Sequence, residues 1–304
     1  GTAFANGYPS RAVRLVVPYA PGGGSDFVGR LIAQKLTETA GWNVVVDNKA
    51  GASGLIGTDA AAKSPADGYT LLLADAAHAT NAAVMPRLPF DPLKDFRPIT
   101  LVGSSPQLLV AHPSFPANSL QELIALPREP GRHYGVGSPG QGTGPHLLCE
   151  TLRLKTGMDL VHVPYKGGAL ALTDCVAGQV PMVINSVPAC MPHIEAKRLK
   201  VLAIASHIRH PRLPQVQTFS ESVPGTLGSA WYGVMAPAGV PADILQPLNA
   251  AIDKVLDLPD VKARLATAFI DPMPRGAEAF SRFLTDEIAR WQAVAKQTGV
   301  TQNS

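Results

Sequence analysis

Charged residues and long apolar runs are both scarce in this sequence of 304 residues. Charged side chains make up 16% of the chain, against about 25% in an average globular domain. Apolar residues make up 46%, which excludes intrinsic disorder, because a disordered chain combines low hydrophobicity with high charge. No apolar run approaches the roughly 18 residues that a transmembrane helix needs. The composition therefore predicts a folded chain without a membrane-spanning helix.

The sequence also lacks a basic block. Lys and Arg number 26 against 23 Asp and Glu, a formal net charge of +3 that is spread along the chain. Proteins that bind a phosphate backbone concentrate their basic residues, so we expect no nucleic acid partner. The length is about twice that of a typical single domain, which predicts two domains.

Cysteine is scarce as well, with only Cys149, Cys175 and Cys190. An odd number without a C-x-x-C motif argues against a zinc ribbon or a dense disulfide framework. One disulfide plus one free thiol stays open from the spacing. Cys149 lies in an apolar helical stretch, so we predict a buried, inert thiol there.

Strand-like and helix-like segments alternate along the chain. Apolar runs at Val13–Val17 and Tyr69–Leu73 predict strands, and apolar residues at helical spacing between Asp26 and Ala40 predict a helix. Continuous apolar strands separated by helices are typical of a parallel sheet that is covered on both faces. We therefore predict an α/β fold with parallel-type sheets covered by helices.

Two loop-forming breaks divide this alternation of strands and helices into two parts. Small residues and proline interrupt the alternation at Gly103–Pro106, and a second break lies near residues 222–230. We predict a discontinuous first lobe of residues 6–104 plus 225–304, a second lobe of residues 105–224, and a ligand cleft between them. A simple division into N-terminal and C-terminal halves is the alternative.

Two glycine-rich loops give the strongest indication of function. Pro18–Asp26 follows the first predicted strand, Ser138–Gly144 follows the strand Tyr134–Gly137, and a helix begins after each loop. Backbone N–H groups at a helix start attract an anion, and glycine lets the anion approach the backbone. Neither Pro18–Gly29 nor Tyr134–Leu152 contains Lys or Arg. Neutral donors of this kind suit a small carboxylate better than a polyphosphate.

The loop sequences do not match the known nucleotide-binding and hydrolase motifs. Gly24–Gly29 supplies the two glycines of a P-loop, but Arg30-Leu31 replaces the Lys-Ser/Thr pair. Gly140–Gly144 lacks the G-x-G-x-x-G spacing, and the loop serines lie in no G-x-S-x-G elbow. An α/β enzyme that binds a phosphate-containing cofactor is the alternative function, without a motif to support it, and we expect no cofactor.

Two weaker patterns receive a structural interpretation. Asn48–Gly57 also joins a strand to a helix, and its small residues predict close helix packing rather than ligand contact. His207 and His210 have H-x-x-H spacing but no supporting carboxylates, so we predict no metal site.

Recognisable segments stand in a fixed order over nearly the whole chain. They are Pro18–Arg30, Asn48–Gly54, Ala66–Leu72, Leu88–Phe96, Gly137–Leu147, His162–Gly168, Gly178–Val180 and Trp231–Gly239. In this order they resemble the tripartite tricarboxylate transporter receptors, the TctC or Bug family of periplasmic solute-binding proteins.

The resemblance implies a two-lobed, type II periplasmic binding protein of the Venus-flytrap kind, which closes about a hinge. It implies a small carboxylated ligand that is held between the two glycine-rich loops, partly through ordered water. The ligand-binding residues that it implies by position are Tyr19, Gly23, Gly24, Ser25, Asp26, His78, Thr80, Asn81, Ser138, Gly140, Gly142, Thr143, His146, Tyr165 and Asn185. Among these, His78, Thr80 and Asn81 fall on a predicted loop after the strand Tyr69–Leu73.

Several roles stay open at this point. Asp26 either caps the first helical turn or orients waters or a ligand amine, and His146 either caps and packs or contacts the ligand. Asn185 stands in a stretch where the family often carries an acidic residue, which weakens the case for an amine-bearing ligand. Tyr19 replaces a common Phe and adds a hydroxyl at the mouth of the first loop.

The family resemblance also implies a compartment and partners. It implies a periplasmic, monomeric receptor that binds a mono-, di- or tricarboxylate or an amino acid and serves membrane permease subunits. Ala3-Phe4-Ala5 has the small-x-small form of an export cleavage site, with cleavage after Ala5, and a cloning remnant or chance is the alternative. A carboxylate-sensing receptor that feeds a signalling partner is the other functional alternative.

Overall fold

A computed structural model describes residues 7–128, 131 and 133–301, so the predicted export signal lies outside the described residues. The strands are β1 Val13–Val17, β2 Val44–Asn48, β3 Thr70–Asp75, β4 Phe96–Ala111, β5 Tyr134–Ser138, β6 Leu160–Pro164, β7 Met182–Ser186, β8 Lys200–Ala205 and β9 Ser229–Pro237. The helices are α1 Gly24–Ala40, α2 Leu55–Ala62, α3 Ala76–Val84, α4 Leu120–Ile124, α5 Gly144–Thr156, α6 Gly168–Val176, α7 Val187–Glu195, α8 Phe219–Ser222, α9 Ala242–Asp257, α10 Pro259–Thr267 and α11 Ala277–Thr298.

The chain forms two compact units. Unit 1 contains the residues up to Ser104 together with Trp231–Arg290, and unit 2 contains Ser105–Ala230 and the stretch from Trp291. Residues 225–230 and 291–301 therefore belong to unit 2, whereas the sequence analysis placed them in the first lobe. The chain enters unit 1 within β9 and leaves it within α11. Neither crossing carries a glycine or proline, at Ala230-Trp231 or at Arg290-Trp291, whereas the crossing at Ser104 inside β4 lies within Gly103–Pro106.

The sheet of unit 1 has β1 between β2 and β3, and all three strands are parallel. Strand β9 runs antiparallel beside β3, with Ala74 opposite Gly233 and Asp75 opposite Tyr232. The chain reverses its winding direction at β1, since β2 lies on one side of this strand and β3 on the other. In open α/β sheets, ligands bind outside the carboxyl ends of the strands at such a switch point.

The sheet of unit 2 repeats this arrangement. Strand β5 lies between β6 and β7, again with all three parallel, and β4 runs antiparallel to both β7 and β8. The α/β class is confirmed, but β4, β8 and β9 are antiparallel where the sequence predicted parallel-type sheets. A short apolar run fixes a strand and its burial but not its direction, which only tertiary pairing decides.

Burial of apolar faces explains the layers. Strand β1 is almost fully buried, and α1 turns Val28, Leu31, Ile32 and Leu36 towards the core of unit 1. Full burial of each such side chain contributes about 1.5–3 kcal/mol. The core of unit 2 is a separate cluster that includes residues of β5, α5 and β7.

Sequence patterns did not predict three of the helices, α3, α7 and α8. His78, Thr80 and Asn81 were placed on a loop after the third predicted strand, and this is wrong because they lie on α3. The segment is rich in alanine and small polar residues and lacks a wide apolar stripe, so periodicity did not reveal it. Asp75 caps this helix, because its side chain accepts a hydrogen bond from the Ala77 N–H at 3.0 Å.

All three cysteines are free and buried, so no disulfide links them. Burial raises the pKa of Cys149 and of Cys175 to about 12. The thiols therefore stay protonated at neutral pH, in line with the inert role predicted for Cys149. In the part of the chain that the structure describes, no helix is both long and apolar enough to cross a membrane.

Gly233 is a packing constraint in the core of unit 1. A methyl group added there would overlap the ring of Phe280, which packs edge-on against the buried Trp231 at 5.7 Å between ring centroids. We expect Gly233→Ala to lower the free energy of unfolding by about 1–3 kcal/mol, because overpacking displaces the ring. Thermal and urea unfolding measure this change.

Gly135→Ala is the matched control, since it also lies in a strand but its added methyl would find neighbours only at 3.4 Å and beyond. An equal loss of stability in both variants would show that strand glycine itself, not contact with Phe280, causes the effect.

Candidate functional site

Both glycine-rich loops lie at the carboxyl end of the central strand of a parallel trio. The first loop joins β1 to α1 in unit 1, and the second joins β5 to α5 in unit 2. The neighbouring strands end at the same edges: Asn48 closes β2 and Asp75 closes β3, while Ser186 closes β7. Each unit therefore gathers polar groups around one loop, and the two clusters are described separately.

Both helices begin without a side-chain cap. Gly23 is the N-cap of α1 and Thr143 the N-cap of α5, and neither position carries a capping side-chain hydrogen bond. The first turn of a helix has N–H groups without intrahelical partners and the positive end of the helix dipole. These groups are donors for an anion at each loop.

Asp26 holds the first loop in shape. Its carboxylate accepts hydrogen bonds from the Gly22 N–H, the Arg30 Nε and the Asn48 Nδ2, each at 2.9 Å. Asn48 also donates to the Tyr19 carbonyl at 3.0 Å. Gly22 has φ +95°, a conformation that favours glycine. These contacts give Asp26 a third role, support of the loop, beside the helix cap and the ligand contact that the sequence left open.

The same contacts set the charge of Asp26. Its hydrogen bond with Arg30, supported by those from Gly22 and Asn48, lowers the pKa of this carboxyl to about 2. Asp26 is therefore ionised at neutral pH, and its charge is matched by Arg30 at 2.9 Å.

A second carboxylate, Asp75, lies under the first loop. It accepts the Tyr19 hydroxyl on Oδ1 and the Ser25 hydroxyl on Oδ2, both at 3.0 Å. Desolvation raises the pKa of Asp75 to about 6, even though these hydrogen bonds oppose the rise. Sequence reasoning missed this residue, because its hydroxyl partners lie 50 or more positions away in the chain.

Glycines let the surrounding elements approach this loop closely. A methyl group on Gly24 would overlap the Tyr232 hydroxyl, and one on Gly57 would lie 2.8 Å from the Pro18 Cα. A methyl on Gly54 would lie 3.2 Å from the Tyr19 hydroxyl. The packing role predicted for the small residues of Asn48–Gly57 is thus confirmed.

The three predicted site residues on α3 are buried and bonded within unit 1. His78 Nε2 bonds to the Pro92 carbonyl at 2.9 Å, and its ring lies against Phe90 and Phe96. Burial lowers the pKa of His78 to about 4. Asn81 donates to the Ser53 carbonyl at 2.9 Å, and Thr80 is 2% exposed. These contacts support packing of α3 against its neighbours.

The second loop is held by Ser138 and two histidines. Ser138 is fully buried, and its Oγ accepts from the Gly140 N–H at 3.1 Å and lies 2.6 Å from His162 Nε2. The hydroxyl is therefore enclosed by its own loop, as expected of a group that shapes a turn. Thr143 closes the turn by donating to the Gly140 carbonyl at 2.7 Å.

His146 accepts a hydrogen bond from a backbone N–H of the second loop. Its Nδ1 accepts from the Gly142 N–H at 3.0 Å, and its ring stacks on His162 with 3.7 Å between centroids. Desolvation lowers the pKa of both rings to about 4. Two neutral rings therefore support the second loop at neutral pH, and His146 acts on the loop backbone.

Tyr165 and Asn185 stand at the neighbouring strand ends of unit 2. The Tyr165 hydroxyl donates to Asp174 at 2.9 Å, while its own backbone N–H donates to the Ser138 carbonyl at 3.1 Å. Asn185 is 6% exposed and lies against Gly168, and its Nδ2 has no hydrogen-bond partner.

Gln107 is a further polar residue that the sequence analysis missed. It is 4% exposed, and its Nε2 lies 3.1 Å from the position that a Gly144 Cβ would occupy at the start of α5. Its Oε1 has no hydrogen-bond partner. A polar residue within the apolar run that ends β4 was the feature that could have revealed it. Among the described residues, no group of three or more His, Cys, Asp or Glu could hold a metal ion.

Comparisons with known proteins agree on one family. The family model for the "Tripartite tricarboxylate transporter family receptor", TctC, matches residues 28–300. Protein BugT of Bordetella pertussis is 38% identical over 298 residues, covering 97% of this chain and 91% of BugT.

Solved structures give the same result. R. palustris Rpa4515 with adipate has a TM-score of 0.87 at 36% identity, covering 97% of this chain and 99% of that one. MatC (Rpa3494) from Rhodopseudomonas palustris with bound malate has a TM-score of 0.82 at 33% identity, covering 94% and 99%. The periplasmic binding protein BugD has a TM-score of 0.83 at 31% identity, covering 97% and 100%.

Removal of the Asp26 charge tests its role in the first loop. Because the folded-state pKa is depressed, ionised Asp26 stabilises the protein above about pH 4, and this contribution is lost as pH falls towards 2. We expect Asp26→Asn to lower the free energy of unfolding by about 1–2 kcal/mol at neutral pH. Urea unfolding at several pH values should show the gap from wild type closing towards pH 2.

Asp286→Asn is the control, because Asp286 is exposed on α11. A gap for Asp26→Asn that does not change with pH would contradict the role assigned to its charge.

The histidine stack predicts a second pH effect. Since burial depresses the pKa of His146 and His162, both are neutral when folded, and stability falls as pH drops from about 6.5 towards 4. NMR titration of the ring carbons should give two values near 4. His162→Phe keeps a stacked ring and removes one titration, which assigns the signals. Ordinary values near 6.5 for both rings would refute the buried neutral pair.

Proposed function

This chain belongs to the tripartite tricarboxylate transporter receptor family, and we propose that it binds a small dicarboxylate through its two glycine-rich loops. It is a solute receptor of that family with the periplasmic-binding-protein fold. The observation that carries the proposal is the pair of uncapped helix starts at α1 and α5, each at the carboxyl end of a central parallel strand.

The chemistry of both loops suits a carboxylate. Each offers helix N–H groups and glycines, and the segments Pro18–Gly29 and Tyr134–Leu152 contain no Lys or Arg. Backbone donors recognise a carboxylate group generically, and the shape and polarity of the remaining contacts select the rest of the molecule. A ligand with a carboxylate at each end gives each loop one group to hold.

Relatives support this ligand class. The R. palustris structure with adipate and the MatC structure with malate are 36% and 33% identical to this chain. Adipate and malate are both dicarboxylates. We infer the same class for this receptor, with closure of the two units on the ligand and delivery to membrane permease subunits.

The proposal extends to location and state. A receptor that hands its ligand to a permease works in the periplasm as a monomer and binds its ligand without changing it. The best serine–histidine contact of the described residues, Ser138 with His162, supports this reading, because Ser138 is fully buried and already bonded to the Gly140 N–H. A buried hydroxyl of this kind supports the loop rather than attacking a substrate.

Thermal shift and calorimetry test the ligand class. We expect adipate or malate, or another dicarboxylate of a panel from three to eight carbons, to raise the melting temperature, because a ligand that binds only the folded state stabilises it. The diamides of the same acids, which lack the charge, should not. Stabilisation by nucleotides while every carboxylate is inert would overturn the proposal in favour of a cofactor-binding protein.

Variants at the two loops locate the site. We expect Ser25→Ala and Ser138→Ala each to weaken binding of the best dicarboxylate by about tenfold, since each removes a hydroxyl that orders one loop. Ser114→Ala is the matched control, because Ser114 is exposed and bonds only to His112. An affinity that equals that of wild type in both loop variants would place the ligand elsewhere.

A further inference from the structure

Asp75 is a carboxylate, which accepts hydrogen bonds, and it lies where the proposed site needs hydrogen-bond donors for an anion. Its two oxygens accept from the Tyr19 hydroxyl, the Ser25 hydroxyl and the Ala77 N–H, all at 3.0 Å. Tyr19 and Ser25 belong to the first loop itself. Asp75 and Tyr19 are both half-buried, so neither is sealed away from a ligand at this edge of the sheet.

The titratable groups around Asp75 are either neutral or already paired with an opposite charge. From β9, Tyr232 faces it across the strand pair, and burial raises the pKa of this phenol further above its ordinary value. From α1, the charge of Asp26 is matched by Arg30. From α3, His78 is neutral and bonded to the Pro92 carbonyl. Within residues 7–128, 131 and 133–301, the negative charge of Asp75 therefore faces the first loop without a cation paired to it.

This arrangement decides where the hydroxyl protons point. A carboxylate can only accept hydrogen bonds, so ionised Asp75 takes the protons of both Tyr19 and Ser25. The two hydroxyls then present lone pairs to the loop, which repel the oxygens of a bound carboxylate. When Asp75 is protonated on Oδ2, the repelling charge disappears and the new O–H donates to Ser25, whose hydroxyl is then free to turn and donate to the ligand, while Tyr19 still donates to Oδ1.

We propose that Asp75 takes up one proton from solvent when an anionic carboxylate binds at the first loop. The inference rests on the proposed function and adds to it a defined proton stoichiometry. Two carboxylates that share a site hold one proton between them more readily than none, because like charges at close range do not both ionise. The receptor thus binds an anion together with a proton.

The sign of the pH dependence follows from the state of the free protein. Desolvation already holds the pKa of Asp75 at about 6 without a ligand, and the bound anion raises it further. As the pH falls below this pKa, Asp75 is increasingly protonated before binding and the proton uptake decreases. Between the pKa of free Asp75 and its higher pKa in the complex, binding consumes up to one proton, and the dissociation constant rises by up to about tenfold per pH unit.

Isothermal titration calorimetry measures this proton directly. The wild-type receptor is titrated with adipate and malate at about pH 7.5 in two buffers that differ in ionisation enthalpy. The difference in apparent binding enthalpy gives the number of protons exchanged. We expect an uptake that approaches one proton at pH 7.5 and falls as the pH is lowered to 6, a range in which adipate and malate are chiefly dianions.

Two variants assign the proton to its residue. Asp75→Asn keeps an oxygen to cap α3 but cannot titrate, so it should abolish both the proton uptake and the rise of the dissociation constant above pH 6. Asp253→Asn is the matched control in unit 1. Asp253 is also half-buried, with a pKa raised by desolvation and a hydroxyl donor, Thr100, at 3.1 Å. Its replacement should leave both readouts as in wild type.

The outcomes separate the two proposals. If every carboxylate fails to bind, the proposed function falls and the role of Asp75 falls with it. If a dicarboxylate binds without proton uptake and with a pH-independent dissociation constant, only the role of Asp75 is overturned. Proton uptake that persists in Asp75→Asn would overturn the assignment to Asp75 and show that another group takes up the proton. The wild-type calorimetry decides the stoichiometry even if Asp75→Asn fails to fold.

Discussion

The hydrogen bonds that Asp26 accepts from Gly22, Arg30 and Asn48 define the first loop, and the proposed site depends on them. A helix start is useful to a ligand only while its N–H groups stay unclaimed. A side chain at the N-cap would accept the hydrogen bonds of these N–H groups, and a mobile loop would cover them, so that a ligand could not reach them. Asp26 instead bonds to the loop from inside the first turn and leaves the N-cap to Gly23.

The two units meet the same requirement with different chemistry. Unit 1 fixes its loop with an ionised carboxylate and a guanidinium, and unit 2 fixes its loop with a neutral histidine stack and a buried serine. His146 and Asp26 both accept a glycine N–H four residues before them in the chain. The repeated backbone design thus tolerates different supports, provided that an acceptor lies one turn into the helix.

Much of this was readable from the sequence, and the failures have physical causes. The α/β class and the position of both loops followed from apolar runs and glycine spacing, which are local properties, and the family followed from the resemblance of ordered segments along the chain. Asp75 and Gln107 were missed because their importance arises from partners that only the folded sheet brings near. The helix at α3 was missed because alanine and small polar residues form a helix without an apolar stripe. The crossing within β9 was missed because no glycine or proline stands at Ala230-Trp231 to mark it.

The three buried thiols have a consequence for experiments on motion. Because Cys149, Cys175 and Cys190 are enclosed and protonated, thiol-reactive dyes will leave them unmodified in the folded protein. A cysteine introduced on the surface of each unit would then be the sole target of labelling, with the natural residues left in place. The chain is thus ready for fluorescence or spin-label distance measurements of how its two halves move when a ligand is added.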